Sequence, residues 1–286
     1  MTVQSKPPSR RNAAGLRRDL EVLEVLGSHT SIKEHGLGVN KVAELTGRDK
    51  GQISRTLSTL ADAGFVERDR SSAKYRLGFQ LYAMAARTKE ARLVVESEQY
   101  LRKVVNRLHE TAHLCVLRGG NVLTLKSELS SSAFRGVGWE GVSVGALRTS
   151  SGRALISDWS EDEVRDWYLE HAKDSLVVQP TIGLPTSIPE SFVRTSAVTN
   201  NTKINSVEDL LKELELIRKR GYATVDEEFE LGLVGASAPI RDSSNRIVGV
   251  INISAPKTRI GQHLEQVGSI VAEISGELSN QLGATA

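Results

Sequence analysis

Cysteine is almost absent from this 286-residue sequence, and that absence excludes two kinds of site. Cys115 is the only cysteine, so neither an intrachain disulfide nor a metal cluster held by thiolates can form, and a reducing cytoplasm is the expected compartment. No run of 18 or more apolar residues occurs, so no membrane contact is expected. Residues 1–13 are polar and basic and lack the apolar centre of a secretory signal, which predicts a flexible basic arm.

Two common signs of catalysis are not found. The chain contains no P-loop pattern G-x-x-x-x-G-K-[ST], and the serines of TSSG at 149–152 stand in no G-x-S-x-G frame and have no partner base nearby in the sequence. HETAH at 109–113, in contrast, matches the catalytic motif H-E-x-x-H. In that motif two histidines one helical turn apart hold zinc, and the glutamate acts as a general base.

The sequence around HETAH argues against a zinc site. Residues 94–108 have helical periodicity, whereas residues 112–125 alternate around a Gly-rich turn as a β-hairpin does. The helix therefore ends and the strand begins inside the motif, so His109 and His113 cannot share a helical face. We expect His109 to be solvated at the helix end and His113 to be half-buried. A zinc-dependent hydrolase that uses these histidines and Glu110 is kept as an alternative function.

Charge divides the chain unevenly. Residues 1–90 carry 16 Lys and Arg against 10 Asp and Glu, a net charge of +6. Residues 91–286 carry 21 against 25, a net charge of −4. A basic front and an acidic back favour a polyanion partner for the first part alone.

The front of the chain has the pattern of a helix-turn-helix. Residues 14–26 repeat leucine at helical spacing, residues 39–46 form a short helix that Gly47 ends, and Asp49 can cap a third helix over residues 50–63. The third helix carries a polar outer face with an arginine, as a recognition helix does. Two alternating strands, FVERD and KYRLG, follow around a turn, which indicates a wing whose tip carries Arg68, Arg70, Ser71, Ser72 and Lys74.

The segment VAELTGRDKGQISRTLSTLADAGFVERD, followed by KYRLG, resembles the winged helix of the IclR family of bacterial transcription regulators. The resemblance extends to YATVDEEFELGLVGASAPIRDSSNRIVGVINISAP near the C-terminus. It implies an α+β chain with an N-terminal winged helix-turn-helix, a linker helix, and a C-terminal α/β effector-binding, GAF-like domain built on an antiparallel sheet. It implies no catalytic residue, metal or other cofactor.

The resemblance also implies a set of site residues. Arg55 matches the arginine that the family carries in its recognition helix. The expected contacts with double-stranded DNA are Lys50, Gln52, Ser54, Arg55, Ser58, Arg68, Arg70 and Lys74. The expected effector-binding residues are Gly145, Leu147, Arg148, Ser150, Ser151, Asp226, Leu233, Gly235, Ser237 and Ser254.

Two positions of the expected pocket depart from the family. Val225 stands where an acidic residue is often found, and Gly235 stands where some members carry cysteine. The loss of a carboxylate at 225 and of a side chain at 235 predicts a roomier pocket that repels acids less. Arg148, where a histidine is common, suits a carboxylate.

The expected domains are a basic arm (1–13), a winged helix (14–78), a linker helix (79–92) and an effector-binding domain (93–286), with a Pro- and Ser-rich insertion at 172–201. The expected function is a transcriptional regulator, a repressor of a catabolic operon, whose binding to a near-palindromic operator is modulated by a small organic acid, aromatic in kind. The chain is expected to act as a homodimer or a dimer of dimers. Besides the zinc hydrolase, a DNA-binding protein that responds to no ligand is the alternative.

Overall fold

The computed structural model describes residues 13–132, 139–172 and 202–285, which fall into two structural units. The first unit ends at Thr88 and the second begins at Lys89. The expected basic arm lies outside the described residues as far as residue 12, and so does the expected insertion from residue 173 onward. Within the described ranges, no helix is both long and apolar enough to cross a membrane.

The first unit consists of helices followed by a small hairpin. Its helices and strands are α1 (Ala13–Leu26), α2 (His29–Lys33), α3 (Val39–Thr46), α4 (Lys50–Asp62), β1 (Val66–Arg68), β2 (Tyr75–Leu77) and α5 (Phe79–Ala85). The three predicted helices α1, α3 and α4 are present. The short helix α2, which Ser28 caps by accepting a hydrogen bond from Ser31 N, was not predicted.

The turn between α3 and α4 is fixed by two residues. Gly47 ends α3 in the left-handed region at φ 63°. The Asp49 carboxylate caps α4 by accepting hydrogen bonds from Gly51 N and Gln52 N. Ile53 and Leu57 are fully buried, so the apolar side of α4 faces the core of the unit. The opposite side of α4 therefore faces solvent.

The hairpin β1–β2 is antiparallel, and its turn is organised by one carboxylate. Asp69 Oδ1 accepts hydrogen bonds from the backbone N–H and hydroxyl groups of both Ser71 and Ser72. These hydrogen bonds hold the pKa of Asp69 well below its usual range. The backbones of Leu37 and Tyr75 exchange two hydrogen bonds of 2.9 and 2.8 Å, which attach the hairpin to the segment before α3.

One predicted helix is divided. The resemblance implies a single linker helix over residues 79–92, whereas α5 ends at Ala85 and α6 spans Lys89–Leu108. The last turn of α5 tightens, because Thr88 directs both its backbone N–H and its hydroxyl to the carbonyl of Ala85. A threonine hydroxyl that donates a hydrogen bond to a backbone carbonyl in this way competes with the helical N–H for the same acceptor.

The second unit is built on a six-stranded antiparallel sheet. Its strands are β3 (Ala112–Arg118), β4 (Asn121–Glu128), β5 (Ser143–Gly145), β6 (Ala223–Asp226), β7 (Leu233–Arg241) and β8 (Ile247–Pro256). Their order across the sheet is β5-β4-β3-β8-β7-β6, and every neighbouring pair is antiparallel. The expected antiparallel sheet is thus present.

The remaining helices are α7 (Ser150–Leu155), α8 (Glu161–His171), α9 (Val207–Arg220), α10 (Lys257–Ile260) and α11 (Leu264–Gln281), with a 3-10 turn at Gly261–His263 before α11. Ser160 and Glu163 form a capping box at the start of α8. Ser206 and Asp209 form another at the start of α9. Thr149 caps α7 by accepting a hydrogen bond from Gly152 N.

Alternation along three central strands separates two faces of the sheet. Alternate residues of β3, β7 and β8 are small or apolar, and they pack with α6 and α11 in the larger core. The residues between them are His113 and Cys115 on β3, Gly235 and Ser237 on β7, and Asn252 and Ser254 on β8. This second set is polar or small, and it points to the face on which α7 lies.

Candidate functional sites

The exposed face of α4 carries the residues expected to contact DNA. Lys50, Gln52, Ser54, Arg55 and Ser58 are all exposed, while Ile53 and Leu57 lie in the core. These five side chains include two cations, an amide and two hydroxyls. Such groups can donate to phosphate oxygens and to the edges of bases in the major groove.

The cationic side chains of the hairpin differ in how exposed they are and in what they contact. Arg70 is exposed at the tip, and the Arg68 guanidinium lies 5.7 Å from the centre of the Tyr75 ring. Lys74 Nζ donates a 2.8 Å hydrogen bond to the carbonyl of Glu34. Of the expected hairpin contacts, Arg68 and Arg70 are therefore the more exposed, and Lys74 also attaches the hairpin to the end of α2.

Sequence reasoning missed one network that positions α4. Arg48 donates to the carbonyl of Arg18 at 2.7 Å and to Asp19 Oδ1 at 3.4 Å. Thr56 on α4 donates to the same Asp19 oxygen at 3.1 Å. The network connects α1, the turn and α4. Its members have no distinctive spacing in the sequence, so nothing in the pattern could have identified them.

A cavity of about 160 Å³ lies on the α7 face of the sheet in the second unit. The described residues that line it are His113, Cys115, Val122, Thr124, Trp139, Val144, Thr149, Ser150, Ser151, Val225, Phe229, Leu233, Val234, Gly235, Asn252 and Ser254. This wall consists of apolar side chains, hydroxyls, an amide, a thiol and an imidazole. None of these described residues is an aspartate, glutamate, lysine or arginine.

Half of the expected effector-binding residues meet at this cavity. Ser150, Ser151, Leu233, Gly235 and Ser254 line it. The expected residues that do not line it among the described ones are Gly145, Leu147, Arg148, Asp226 and Ser237.

Each of those five residues has a different position. Gly145 pairs with Asn121 in the sheet, and Leu147 packs with the core on the α7 side. Arg148 is half-buried between β5 and α7. Asp226 forms an ion pair with Lys257 at 2.9 Å, and Ser237 lies directly behind the wall.

Hydroxyl groups and one amide form the polar part of the wall. Ser237 Oγ lies 2.8 Å from Ser150 Oγ and 3.0 Å from Ser151 Oγ, and it accepts a 2.9 Å hydrogen bond from Asn252 Nδ2. Ser254 Oγ donates to Asn252 Oδ1 at 3.0 Å. The polar groups are therefore held in place by one another before any ligand enters.

Both ionisable groups of the described wall are neutral at physiological pH. Burial lowers the pKa of His113 to about 4, so its imidazole carries no charge. Burial raises the pKa of the Cys115 thiol to about 11, so it is no thiolate. The expectation that His113 is half-buried is wrong, because the residue is only 5% exposed. Its position on an interior strand between β4 and β8 explains the burial.

Gly235 contributes to the width of the cavity. A Cβ atom at this position would lie 3.2 Å from Ser150 Oγ and 3.5 Å from Ser254 Oγ. A Cβ would also lie 3.3 Å from the carbonyl of Ile253, so any side chain there would be tight against that carbonyl and the Ser150 hydroxyl. The roomier pocket remains a prediction from the resemblance.

A buried ion pair joins two walls of the cavity. Arg153 on α7 and Glu228 after β6 are 1% and 0% exposed, and they form two parallel hydrogen bonds of 3.0 and 2.6 Å. Glu228 also accepts from Lys203 N, and Arg153 Nε donates to the carbonyl of Leu147. The pair holds α7 against the segment that carries Phe229. Glu228 was noted only as part of a resembling motif, and the partner of a buried charge is not readable from sequence.

The H-E-x-x-H motif does not form a zinc site. The helix α6 ends at Leu108, His109 follows at φ 56°, and His113 lies within β3. Glu110 is bound to Arg259 through both carboxylate oxygens, at 2.5 and 2.6 Å. The expected break inside the motif is confirmed, so the two imidazoles cannot occupy one helical turn.

Comparison with known proteins assigns the chain to a family. Residues 15–70 match the profile of the IclR helix-turn-helix domain, and residues 186–280 match that of the C-terminal domain of bacterial transcriptional regulator IclR. The transcriptional regulator KdgR of Dickeya chrysanthemi is 23% identical over 92% of this chain and 79% of its own length. The transcriptional repressor AllR of Escherichia coli K12 is 23% identical over 99% of this chain and 95% of its own.

The fold is shared with solved structures. An IclR homologue from Microbacterium hydrocarbonoxydans, crystallised in complex with 4-hydroxybenzoate, superposes with a TM-score of 0.70 at 19% identity. The match covers 94% of this chain and 99% of that one. Profiles, named relatives and fold agree, and this chain belongs to the IclR family of bacterial transcriptional regulators.

Proposed function

We propose that this chain is a transcriptional repressor of a catabolic operon, and that a small organic acid with an aromatic ring modulates its binding to operator DNA. It acts on near-palindromic double-stranded DNA in the cytoplasm, as a homodimer or a dimer of dimers. The repressor role is supported by the relative AllR, which bears that name and aligns over nearly the whole chain.

The DNA contacts are proposed on α4 and the hairpin. Lys50, Gln52, Ser54, Arg55 and Ser58 form the exposed face of α4, and Arg68, Arg70 and Lys74 belong to the hairpin. The α4 side chains suit base edges in a major groove, and the hairpin cations suit phosphates. Two recognition helices in a dimer require two half-sites separated by whole helical turns, which is why the operator is near-palindromic.

The cavity of the second unit is the observation that carries the effector proposal. Its volume of about 160 Å³ is close to that of an engineered cavity of about 150 Å³ that binds benzene. The wall is largely apolar with a few fixed polar groups, as in other small-molecule sites. The homologue from Microbacterium hydrocarbonoxydans was solved with an aromatic acid, 4-hydroxybenzoate, which supports the same chemical class here.

Within this proposal, the expected effector residues take two roles. Ser150, Ser151, Leu233, Gly235 and Ser254 contact the ligand, since they line the cavity. Ser237 acts through Ser150 and Ser151 by holding their hydroxyls. Gly145, Leu147, Arg148 and Asp226 remain predictions from the resemblance.

A matched pair of glycine variants tests the effector site in the full-length chain. At 100 times its dissociation constant, 4-hydroxybenzoate should stabilise the protein by about 2.7 kcal/mol, which a thermal-shift assay detects readily. Gly235→Val should abolish that shift, because its side chain would fill the space between Ser150 and Ser254. The control Gly276→Ala adds a methyl group to open space at an exposed position of α11 and should keep the shift.

Two results would contradict the effector proposal. One is the absence of a shift with 4-hydroxybenzoate, benzoate and straight-chain acids alike. The other is a shift that survives Gly235→Val, which would place the ligand outside this cavity. In either case the DNA-binding part of the proposal would have to be tested separately with operator DNA.

A further inference from the structure

The imidazole of His113 has an unusual position for a neutral ring in a sheet. On β3, His113 pairs with Ser127 of β4 on one side and with Asn252 of β8 on the other. Its Nδ1 lies 2.8 Å from Ser127 Oγ, and the side chain lines the cavity. No described residue makes a hydrogen bond to its Nε2. The ring therefore has one nitrogen engaged in the sheet and one available to a ligand.

The surrounding wall offers an acid no permanent positive charge among the described residues. The hydroxyls of Ser150, Ser151 and Ser254 and the amide of Asn252 are neutral and already bonded within their own network. The Cys115 thiol is neutral as well. A carboxylate that entered this cavity would lose water without meeting a cation, which is strongly unfavourable.

Charged groups on the neighbouring elements are paired elsewhere or lie off the wall. The titratable residues on the strands of this face, on α7 and on the segments beside the cavity are Cys115, Arg118, Lys126, Glu128, Glu140, Arg148, Arg153, Asp226, Glu228 and Arg241, whereas α6 packs on the opposite face of the sheet. Arg153 pairs with Glu228, Asp226 with Lys257, Arg118 with Glu90, and Arg241 lies 3.8 Å from Asp158. Arg148 is half-buried and does not line the cavity. Lys126 and Glu140 lie 3.8 Å apart, and a Glu140 oxygen accepts from Ser127 N. Of the whole set, only Cys115 lines the cavity.

We propose that His113 is the charge-compensating residue of this pocket: when a carboxylate enters, His113 takes up one proton from solvent and binds the acid as an imidazolium–carboxylate pair. The inference rests on the proposed function, since it requires that the effector is an acid. In the bound state Nδ1–H donates to Ser127 Oγ and Nε2–H donates to the ligand. The ring gains one positive charge, the ligand keeps its negative charge, and the cavity stays neutral overall.

The sign of the pH dependence follows from this scheme. In the free protein His113 is neutral above about pH 4, because burial disfavours its charged form. An adjacent carboxylate favours the charged form and raises the pKa of the ring. Between the free and the bound pKa, binding consumes a proton, so affinity rises by up to about tenfold for each unit by which the pH falls. Above the bound pKa the affinity no longer depends on pH.

Isothermal titration calorimetry of the full-length chain with 4-hydroxybenzoate at pH 5.5 tests the proposal. Titrations in MES and in Bis-Tris, which differ in ionisation enthalpy and contain no carboxylate, give the number of protons taken up. We expect close to one proton for the wild type and none for His113→Gln. The neutral analogue 4-hydroxybenzamide should bind the wild type without proton uptake.

The site of the proton is read directly from the ligand. With carboxyl-¹³C-labelled 4-hydroxybenzoate, the NMR shift of the bound carboxyl group should be that of the ionised form, a readout that stands even if His113→Gln does not fold. An ionised bound ligand with one proton taken up supports the assignment to His113. A protonated bound ligand, or uptake that persists in His113→Gln, would overturn it.

Failure of this inference is distinguishable from failure of the proposed function. Binding of 4-hydroxybenzoate without any proton uptake would refute the role of His113 and leave the acid effector in place. Absence of binding by 4-hydroxybenzoate and by every other carboxylate tried would refute the effector class itself.

Discussion

Among single residues, Arg55 offers the most direct test of the DNA interface. It is exposed on α4, and its guanidinium can bond one guanine or one phosphate through two N–H groups. We expect Arg55→Ala to weaken binding to an operator fragment selected from random DNA by about 1–3 kcal/mol. Fluorescence anisotropy at fixed salt concentration measures this directly.

The control for Arg55 is an arginine with similar exposure in the other unit. Arg102 lies on α6 and is exposed, and its guanidinium lies 3.7 Å from Glu98. Arg102→Ala removes the same charge and should leave operator affinity unchanged. Equal losses in the two variants would mean that net charge, rather than a contact from α4, determines the affinity.

Residues of the pocket were predicted only where a resembling motif carried them. Ser150, Ser151 and Gly235 were named in this way, and they do line the cavity. His113 and Asn252 were not, although strand alternation places them beside named residues. His113 was considered only as part of a zinc motif. The missed signal was a polar residue at alternate positions of otherwise apolar interior strands.

Elements with long periodicity were predictable and short ones were not. The helices α1 and α4 repeat apolar residues over several turns, and their predicted bounds, 14–26 and 50–63, are within one residue of the observed ones. The helix α2 and the strand β5 have five and three residues, too few for a period to emerge. The break between α5 and α6 depends on the hydrogen bonds of Thr88, which no apolar pattern reports.

The ion pair between α7 and the segment after β6 predicts a specific pattern of stability. Glu228→Gln leaves the buried guanidinium of Arg153 without a counter-charge, so we expect a loss of about 3–5 kcal/mol in the free energy of unfolding. Replacing both partners by apolar residues, as Arg153→Met with Glu228→Leu, should restore most of it, because two buried charges are then removed together.

Urea denaturation followed by tryptophan fluorescence measures that effect in the correct unit. All three tryptophans, Trp139, Trp159 and Trp167, belong to the second unit, so the signal reports its unfolding. Arg165→Met, which breaks an exposed pair with Glu208, is the control and should leave the transition where it is. If the double variant is as unstable as Glu228→Gln, then the ion pair stabilises the folded protein by more than each charge neutralising the other.

For the whole molecule, regulation requires that the effector binds the DNA-binding and the non-binding states of the protein with different affinities. An effector changes operator affinity only by the ratio of its affinities for the DNA-binding and non-binding states. A cavity that binds its ligand equally well in both states would stabilise the protein and regulate nothing. Thermal stabilisation by an acid is therefore necessary for the proposed function but not sufficient.

Reciprocity supplies the sufficient test. If 4-hydroxybenzoate weakens operator binding by some factor, saturating operator must weaken 4-hydroxybenzoate binding by the same factor, typically about 5- to 150-fold. Both factors can be measured in one buffer, by anisotropy of labelled operator and by calorimetric titration of the acid with and without DNA. A factor above one in both directions shows that the acid and the operator are coupled through the protein. Since reciprocity holds for any single acid site, unequal factors would mean that the two assays report on different sites, such as the cavity and the cations of α4. A factor of one in both directions would leave a DNA-binding protein whose affinity for DNA does not respond to the acid.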